Sequence, residues 1–307
     1  MRAVVFDEYG GPDVLRVEEV PVPSPGPGEV LVRVAATSVN LTDWEGLTGH
    51  PAYARIGGWR SPAHPILGSD IAGRVEEIGT GVTRFRVGDE VYGDHLGLKG
   101  GFAEYAIAPE SALATAPRGL TFAEASTIPQ AGPIAMQAVG DVAPGQRLLI
   151  NGGGGGTGMF AIQLAKRAGA HVTAVDNAGK LDFMRSLGAD EVIDHRREDF
   201  TRGGTEYDVI VDPVGHRSVV GVRRALVRGG RYHFIGGSLP RLLRVMTVGF
   251  LAGRLTGRRM GLLAVKPGPD HFTPVADLCR TGELAIRIDR RFSLGEVPEA
   301  IAAVGAG

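Results

Sequence analysis

A glycine-rich turn between an apolar strand and an apolar helix is the part of this sequence best suited to chemistry. Gly153, Gly155 and Gly158 have the spacing G-x-G-x-x-G, with Leu148 to Ile150 before them and Met159 to Ala168 after them. Glycines at these places let backbone amides approach the pyrophosphate of a dinucleotide at the start of the helix, where the helix dipole favours an anion. A glycine run also fits a flexible turn that binds nothing, but the flanking strand and helix favour nucleotide binding.

An acidic residue follows at the distance that a dinucleotide site requires. Asp176 ends a second apolar strand, His171 to Val175. Its carboxylate suits a ribose with free hydroxyls and would repel a 2′-phosphate, which favours NADH over NADPH. Lys180 could serve a phosphate, so NADPH stays open. The cofactor-binding residues that we expect are Gly153, Gly154, Gly155, Gly156, Thr157, Gly158, Asp176, Asn177, Lys180, Asp212, Val214, Gly215, Ile235, Gly236 and Gly237.

The elements that must position these residues alternate between strand and helix from Leu120 onward. Apolar runs such as Tyr207 to Val211 and Arg231 to Ile235 are separated by helical patterns such as Ser218 to Leu226. This alternation predicts a parallel sheet with helices on both faces, with its ligand at the carboxyl ends of the strands. The residues just after those strands should therefore line the site, although Asp212 also fits a simple strand cap.

The first part of the chain has a different pattern. Short period-two runs such as Ala3 to Phe6 and Val30 to Ala35 are separated by Pro and Gly, which predicts a small β-rich domain. Residues 38–82 show few helical signals and many polar residues, as in substrate-binding loops. The tail predicts a helix from Phe272 to Thr281, a strand from Ile286 to Phe292, and a final helix from Glu296.

The segment from Pro240 to Met260 is both basic and apolar. Arginines punctuate an apolar pattern, so a helix lying on a membrane surface is conceivable. The segment is too polar to span a bilayer, and we expect no stable membrane insertion. A packed helical excursion or a subunit interface is the favoured interpretation.

Composition excludes several other classes of protein. The 307 residues carry a formal net charge of -1 with the arginines widely spread, which argues against nucleic acid as the main partner. The single cysteine rules out a disulfide within the chain and a cysteine-cluster metal site. The first residues show neither an apolar signal core nor an Arg-rich transit pattern, so we expect a cytoplasmic protein.

Seven stretches together resemble the medium-chain dehydrogenase/reductase superfamily, in its zinc-free quinone oxidoreductase-like and enoyl reductase-like branch. They are VNLTDW (39–44), PILGSDIAGRVEEIG (65–79), FRVGDEVYG (85–93), GGFAEYAIAP (100–109), the glycine turn, LGADEVIDH (187–195) and YDVIVDPVG (207–215). The resemblance implies an α/β protein with a GroES-like β-rich catalytic domain (1–117 and 268–307) and a Rossmann doubly wound parallel sheet domain (118–267), with the active site in the cleft. It also implies a homodimer, and the apolar run 262–267 is the candidate pairing edge.

The chain departs from the zinc-dependent members of that superfamily. Asn40 replaces a cysteine, Ser69 and Asp70 replace a His-Glu pair, and residues 85–101 replace a four-cysteine lobe. We therefore expect no zinc, since the sulfur ligands are missing. Scattered histidines could gather around a metal together with Asp43 or Asp70, but histidines in loops are more often solvated; they are His50, His64 and His95.

By resemblance, the catalytic candidates are Asn40, Asp43 and Tyr53. Asn40 and Asp43 would lie near the nicotinamide, unless they only cap a loop. Tyr53 is the candidate proton donor, because a phenol can protonate the carbon beside a carbonyl. Its offset from Asn40 differs from that in enoyl reductases, and His50 or Trp59 could occupy the same space. A role in the pocket wall, or a proton from solvent, is the alternative.

Without a metal, hydride transfer depends on positioning and on hydrogen-bond donors, which suits substrates that spread the developing charge. The sequence therefore predicts a metal-independent NAD(P)H-dependent reductase of small molecules, either quinones or α,β-unsaturated carbonyls. One alternative is a zinc-free alcohol dehydrogenase or biosynthetic reductase with a specialised substrate. The other is a nucleotide-binding redox sensor without catalysis.

Overall fold

The computed structural model describes residues 1–95 and 100–307, which form two compact units. The first unit comprises Met1–Gln130 and Lys266–Gly307, and the second comprises Ala131–Val265. Residues 118–130, which the sequence analysis assigns to the nucleotide-binding domain, lie in the first unit.

The strands run in chain order through both units. They are β1 (Arg2–Val5), β2 (Arg16–Glu19), β3 (Glu29–Thr37), β4 (Asp70–Ile78), β5 (Glu90–Asp94), β6 (Tyr105–Pro109), β7 (Leu113–Thr115), β8 (Arg147–Asn151), β9 (His171–Asp176), β10 (Glu191–Asp194), β11 (Tyr207–Asp212), β12 (Leu226–Phe234) and β13 (Arg259–Leu262).

The α-helices are numbered in the same way. They are α1 (Leu41–Thr48), α2 (Phe122–Ala125), α3 (Ala131–Val139), α4 (Gly156–Arg167), α5 (Leu181–Ser186), α6 (Val219–Arg224), α7 (Leu239–Arg244), α8 (Phe250–Leu255), α9 (Pro269–Arg280) and α10 (Val297–Ala306). A π-helical stretch, Val245–Gly249, joins α7 to α8.

The second unit is a parallel six-stranded sheet with helices between all successive strands except β10 and β11. Its strand order is β10-β9-β8-β11-β12-β13, so the first strand, β8, lies beside both the second and the fourth. This is the Rossmann order, and its ligand site lies where the chain reverses direction across the sheet, at the ends of β8 and β11. Apolar runs such as Leu148–Ile150 are fully buried, as expected for a sheet covered on both faces.

The first unit is built on antiparallel strands. Five of them form a sheet in the order β6-β3-β4-β5-β7, and β1 pairs with β2. The core of the five-stranded sheet is aliphatic apart from the ring of Phe85. Its members include Val30, Val32, Ile71, Val75, Phe85, Val91 and Leu113. This arrangement confirms the predicted GroES-like and Rossmann-like fold class.

Two elements of the first unit differ from the sequence expectations. The run Ile286–Phe292 forms no strand, because alternation alone does not supply a neighbouring strand and none of the described strands pairs with it. Conversely, α1 and β4 occupy part of the region read as loops, and β4 pairs along its length with β3. The signal for α1 was present in Asn40 and Asp43, whose spacing suits a helix start.

The edge of the parallel sheet also lies earlier than predicted. The sequence analysis places a candidate pairing edge at 262–267, but the last strand of the sheet is β13, which shares only Leu262 with that run. Strand β13 contains Gly261 and follows a segment rich in glycine and arginine. Its strand propensity is therefore low, and the sequence pattern does not reveal it. Among the described residues, no helix is both long enough and apolar enough to cross a bilayer.

Candidate functional site

The glycine turn of the second unit leads directly into helix α4. Gly155 is extended and caps the helix, whose first residues are Gly156 and Thr157. A side chain at Gly158 would have its Cβ collide with the backbone of Gly153 and lie 2.6 Å from the carbonyl oxygen of Gly152. Glycine at 158 therefore permits the close approach of helix and turn, and it leaves the first helical amides facing outward for an anion.

A second close approach occurs at Gly154. A Cβ there would lie 2.8 Å from the Cβ of Lys180 and 2.9 Å from the Oδ2 atom of Asp176. The turn, the end of β9 and the lysine are thus in contact, as the sequence analysis expected of residues that share a site. Any larger residue at 154 would push the lysine away from the turn.

The carboxylate of Asp176 binds the protein itself. Its Oδ2 accepts a hydrogen bond from the Gly154 amide at 3.0 Å, and its Oδ1 accepts one from the Asn177 amide at 2.7 Å. The ammonium group of Lys180 lies 3.8 Å from Oδ1. The carboxylate therefore links the end of β9 to the glycine turn, and the Lys180 ammonium group lies beside it. A ribose hydroxyl or a 2′-phosphate of a bound dinucleotide would have to compete with these contacts.

Asp212, at the end of β11, is completely buried. Its Oδ1 accepts hydrogen bonds from the Asn151 side chain at 2.7 Å, the Val214 amide at 3.1 Å and the Gly215 amide at 2.7 Å. Its Oδ2 accepts one from the Tyr232 hydroxyl at 2.9 Å. This geometry matches the strand-cap interpretation, in which the carboxylate shapes the turn that follows β11.

The remaining cofactor candidates lie in turns after the same strand ends. Gly215 has a φ of +65° and Gly237 a φ of +140°, conformations that favour glycine. Asn177 caps a short 3₁₀ turn through its side chain, which accepts from the Gly179 amide. Parallel pairing aligns Asp212 with Phe234 and Asn151 with Val175, so these turns share one edge of the sheet.

The first unit has a polar cluster around Asp70. The Oδ2 atom of Asp70 accepts hydrogen bonds from the side-chain nitrogen Nδ2 of Asn40 and from the Ser38 hydroxyl, both at 2.9 Å. Thr42 donates to Gln130, which in turn donates to Ser69, each at 3.2 Å. We call Ser38, Asn40, Thr42, Ser69, Asp70 and Gln130 the Asp70 cluster.

Asn40 and Asp43 stand at the start of α1. Asp43 is 1% exposed, and its two carboxylate oxygens accept hydrogen bonds from the backbone amides of Asn40 at 2.8 Å and Gly68 at 3.0 Å. Asp43 thus fastens the helix start to the loop before β4. This is the capping role that the sequence analysis weighed against catalysis, and it leaves Asn40 as the more accessible of the two.

Tyr53 lies in a 3₁₀ turn, Ala52–Arg55, and is half-buried. Its hydroxyl is 3.5 Å from the Oε1 atom of Glu45 on α1. Of the alternatives considered for the same space, His50 and Trp59 are both exposed.

Burial raises the pKa of Asp70 well above its ordinary value, and the nearby Asp94 carboxylate adds to the shift. Its Oδ1 atom has no hydrogen-bond partner among residues 1–95 and 100–307, which suits a protonated carboxyl group. The unfolded chain releases this proton at about pH 4, whereas the folded chain keeps it. Asp70 therefore costs stability increasingly as the pH rises from the unfolded pKa towards the folded one.

We predict that Asp70→Asn removes this cost, because the amide keeps the acceptor for Asn40 and is neutral. The variant should melt roughly 2–4 °C above the parent at pH 7, with little difference at pH 4. Asp289→Asn, at a largely exposed site, is the control and should show no such trend. A difference in melting temperature between Asp70→Asn and the parent that is the same at pH 4 and at pH 7 would contradict a protonated Asp70.

Zinc does not fit the residues of the Asp70 cluster. The positions of zinc ligands in zinc-dependent relatives hold Asn40, Ser69 and Asp70, which supply an amide, a hydroxyl and a carboxyl group that already bind one another or Gln130. No group of three or more His, Cys, Asp or Glu side chains in the described ranges is arranged to hold a metal ion. The lobe position, 85–101, includes 96–99, which lie outside the described residues.

Comparisons with known proteins agree with this architecture. Residues 26–118 match the alcohol dehydrogenase GroES-like domain, and 187–307 match the zinc-binding dehydrogenase family. The chain is 34% identical to the chloroplastic quinone-oxidoreductase QR1 of Triphysaria versicolor over an alignment of 318 positions. The alignment covers 98% of this chain and 93% of that protein. It belongs to the medium-chain dehydrogenase/reductase superfamily, in the quinone oxidoreductase-like branch.

Two further members of the superfamily match the full length of this chain. The mitochondrial NAD(P)H oxidoreductase RTN4IP1 of Mus musculus is 32% identical, covering 100% of this chain and 87% of that protein. The solved quinone oxidoreductase from Coxiella burnetii is 29% identical and has a TM-score of 0.91, covering 100% of this chain and 96% of that one.

For this medium-chain reductase, sequence reasoning missed the partners that hold the site residues in place. Asn151 and Tyr232 fix Asp212, and Ser38 and Gln130 complete the Asp70 cluster. Only Asn151 could have been found from the sequence, because it is a polar residue directly after the apolar run Leu148–Ile150. The others are distant in sequence from the residues they hold, so no local pattern could have indicated them.

Proposed function

We propose that this chain is a metal-independent, NAD(P)H-dependent reductase of quinones or α,β-unsaturated carbonyls. The observation that carries the proposal is the glycine cradle of the second unit, where side chains at Gly154 and Gly158 would collide with their neighbours. Such a cradle fits a dinucleotide pyrophosphate at the start of α4. The names of the relatives, two of them quinone oxidoreductases, support the substrate class.

The chemistry of the Asp70 cluster supports a reaction without zinc. Its amide and hydroxyl groups are poor zinc ligands, and a single carboxyl group without thiolate or imidazole partners does not make a zinc site. With no metal to polarise a carbonyl, the substrate must delocalise its own charge as the reduced nicotinamide supplies a hydride. A quinone or an enone does this, since its product forms through an enolate, whereas a simple alcohol or ketone does not.

We propose Asn40 and Tyr53 as the groups of the first unit that bind substrate. The side-chain amide nitrogen of Asn40 donates to Asp70, so the Asn40 side chain is fixed in orientation beside the proposed substrate site. The Tyr53 hydroxyl is the proposed proton donor, with solvent as the alternative source. Asp43 supports the helix start rather than the substrate.

The test is a fluorescence titration of the purified chain with NADH and NADPH, followed by addition of a quinone or an enone to the tighter complex. Binding followed by nicotinamide oxidation supports the reductase. Binding without oxidation by either substrate class would favour a nucleotide-binding sensor. Failure of both nucleotides to bind would refute the dinucleotide site itself.

Cofactor choice is a prediction about Asp176. We expect NADH to bind at least about tenfold more tightly, because the carboxylate repels a 2′-phosphate. Asp176→Asn keeps an acceptor for the Gly154 amide and removes the charge, so it should narrow or reverse this preference without lowering the melting temperature. Titration of both nucleotides decides the matter. A parent chain that prefers NADPH would show that Lys180 outweighs the carboxylate.

Two expectations from the sequence remain predictions. The cytoplasmic location is untested, and the names of the two curated relatives above assign those proteins to chloroplasts and mitochondria. The homodimer is also untested, and the exposed edge strand for backbone pairing would be β13 rather than the run 262–267.

A further inference from the structure

A reduction without a metal needs a hydrogen-bond donor at the oxygen of the substrate carbonyl, where negative charge develops. Most donors of the Asp70 cluster are already engaged. The side-chain nitrogen of Asn40 has two N–H groups and donates to the Ser38 hydroxyl at 3.2 Å and to Asp70 at 2.9 Å. The Ser38 hydroxyl donates to the same carboxyl group, and the Thr42 hydroxyl donates to Gln130. None of these three groups has a further hydrogen to donate.

Two more members of the cluster lie out of reach of a substrate. Ser69 and Asp70 are both 0% exposed. Asp70 is the first residue of β4, which pairs with β3 on one side and with β5 on the other. A substrate oxygen could meet either side chain only if the start of this strand left its neighbours. Gln130 is therefore the remaining source of a donor in the cluster.

The side chain of Gln130 is half-buried and is held at both ends of its amide group. Its Oε1 atom accepts a hydrogen bond from the Thr42 hydroxyl, and its Nε2 atom donates one to the Ser69 hydroxyl oxygen, each at 3.2 Å. An amide nitrogen carries two N–H groups. The second one has no acceptor among residues 1–95 and 100–307. Because an amide group is planar, the two contacts fix the direction in which this spare N–H points.

The surroundings of Gln130 keep the spare N–H in place before a substrate arrives. Its neighbours Ile128 and Ala131 are 0% and 6% exposed, so the backbone is anchored on both sides. Thr42 lies in the first turn of α1, two residues after Asn40, which we propose for the substrate site. Water can bind the spare N–H in the free chain, and a substrate oxygen would replace it. A donor fixed in advance stabilises developing charge without reorganisation during the reaction.

We propose that Gln130 is a catalytic residue of this chain and that its spare N–H donates to the carbonyl oxygen of the substrate. The proposal rests on the reductase function proposed above. An enone gains a hydride at its β-carbon from the reduced nicotinamide, which is thereby oxidised. The electron pair of its C=C bond then forms the double bond of an enolate, and that of its C=O bond moves to oxygen. The enolate gains a proton at its α-carbon from Tyr53 or solvent, while Gln130 gives up no proton.

The experiment measures kcat and KM of the full chain with cyclohexenone for two variants, Gln130→Glu and Gln130→Met. Glutamate keeps an acceptor for the Thr42 hydroxyl and lets the Ser69 hydroxyl donate to its second oxygen, so both contacts persist without an N–H. Methionine has a similar length and no donor. We expect kcat to fall about a hundredfold in both variants. Nucleotide affinity should stay within about twofold of the parent, because Gln130 lies outside the glycine turn.

Two readouts separate a donor from a residue that only maintains the fold. Benzoquinone shares the developing charge with its ring and second oxygen, so the same variants should lose only about tenfold or less in kcat with it. A general disturbance would slow both substrates alike. Nitrophenolate carries a comparable anionic oxygen and reports binding by its absorbance. With oxidised nucleotide bound, it should bind both variants about tenfold more weakly than the parent.

Gln146→Met is the matched control in the second unit. Gln146 is half-buried just before β8, and its Oε1 atom accepts a hydrogen bond from the Ala143 amide at 2.8 Å. The substitution thus removes an amide of the same kind away from the Asp70 cluster. It should match the parent in kcat, in nucleotide affinity and in nitrophenolate binding.

The outcomes distinguish this proposal from the function on which it rests. A parent chain that oxidises no nicotinamide with either substrate refutes the reductase, and with it the role of Gln130. A parent chain that is active while both Gln130 variants keep its kcat refutes the role of Gln130 alone. Equal losses with both substrates and unchanged nitrophenolate binding also refute it, because they show that Gln130 only maintains the fold.

Discussion

Replacing Gly158 with alanine will weaken nucleotide binding by about a hundredfold and lower the melting temperature by roughly 5–10 °C. The added Cβ would collide with the backbone of Gly153 and lie 2.6 Å from the carbonyl oxygen of Gly152. Both neighbours belong to the turn itself, so helix α4 must shift away from the turn and displace its first amides, which we propose for the pyrophosphate. Overpacking of this kind typically costs about 1–3 kcal/mol.

Gly155→Ala is the matched control within the same turn. The nearest atom to a Cβ at 155 is 3.7 Å away, and the backbone there is extended, so the fold should tolerate the methyl group. We expect its melting temperature to stay within about 2 °C of the parent. Thermal melts and nucleotide titration distinguish the two variants. Equal stability of Gly158→Ala and Gly155→Ala would show that the turn is looser than its contacts indicate.

Replacing Asp212 with alanine will destabilise the second unit by about 3–5 kcal/mol, because several buried donors lose their acceptor at once. The side chains of Asn151 and Tyr232 and the amides of Val214 and Gly215 all donate to this carboxylate. Chemical denaturation measures the loss. We also expect weaker nucleotide binding, since the turn after β11 would no longer be fixed.

Asp212→Asn separates hydrogen bonding from charge at the same site. The amide oxygen can accept from Asn151 and the two backbone amides, while the amide nitrogen donates to the Tyr232 hydroxyl. This variant should therefore keep more than half of the stability that alanine loses. An asparagine variant as unstable as the alanine variant would mean that the negative charge, and not the hydrogen-bond geometry, maintains the turn.

Both predictions concern residues that act on the nucleotide through the backbone. Gly158 permits helix α4 to approach the turn, and Asp212 holds the turn that follows β11. Neither needs to contact the cofactor. Their variants should consequently change nucleotide affinity and stability together, whereas a variant such as Asp176→Asn should change affinity or preference alone.

Local sequence was sufficient for the parts of this protein that depend on neighbours along the chain. The glycine spacing at 153–158 and the strand–helix alternation after Leu120 predicted the parallel sheet and the tight turn before α4, because periodicity and glycine content record burial and close approach directly. The missed helix α1 belongs here too, since Asn40 and Asp43 carried its start signal.

Partners that are distant in the chain decided the rest. The run Ile286–Phe292 alternates like a strand but finds no strand to pair with, whereas β13 forms because β12 lies beside it. In the sequence, Asp70 was a possible metal partner and Asp212 a cofactor contact or a strand cap. Only the fold shows that both are buried among donors from other elements. The sequence did not show that Leu243 and Phe250 on α7 and α8 are exposed, because hydrophobicity alone does not state which faces of a helix the core covers. That depends on where the sheet ends, which only the tertiary structure determines.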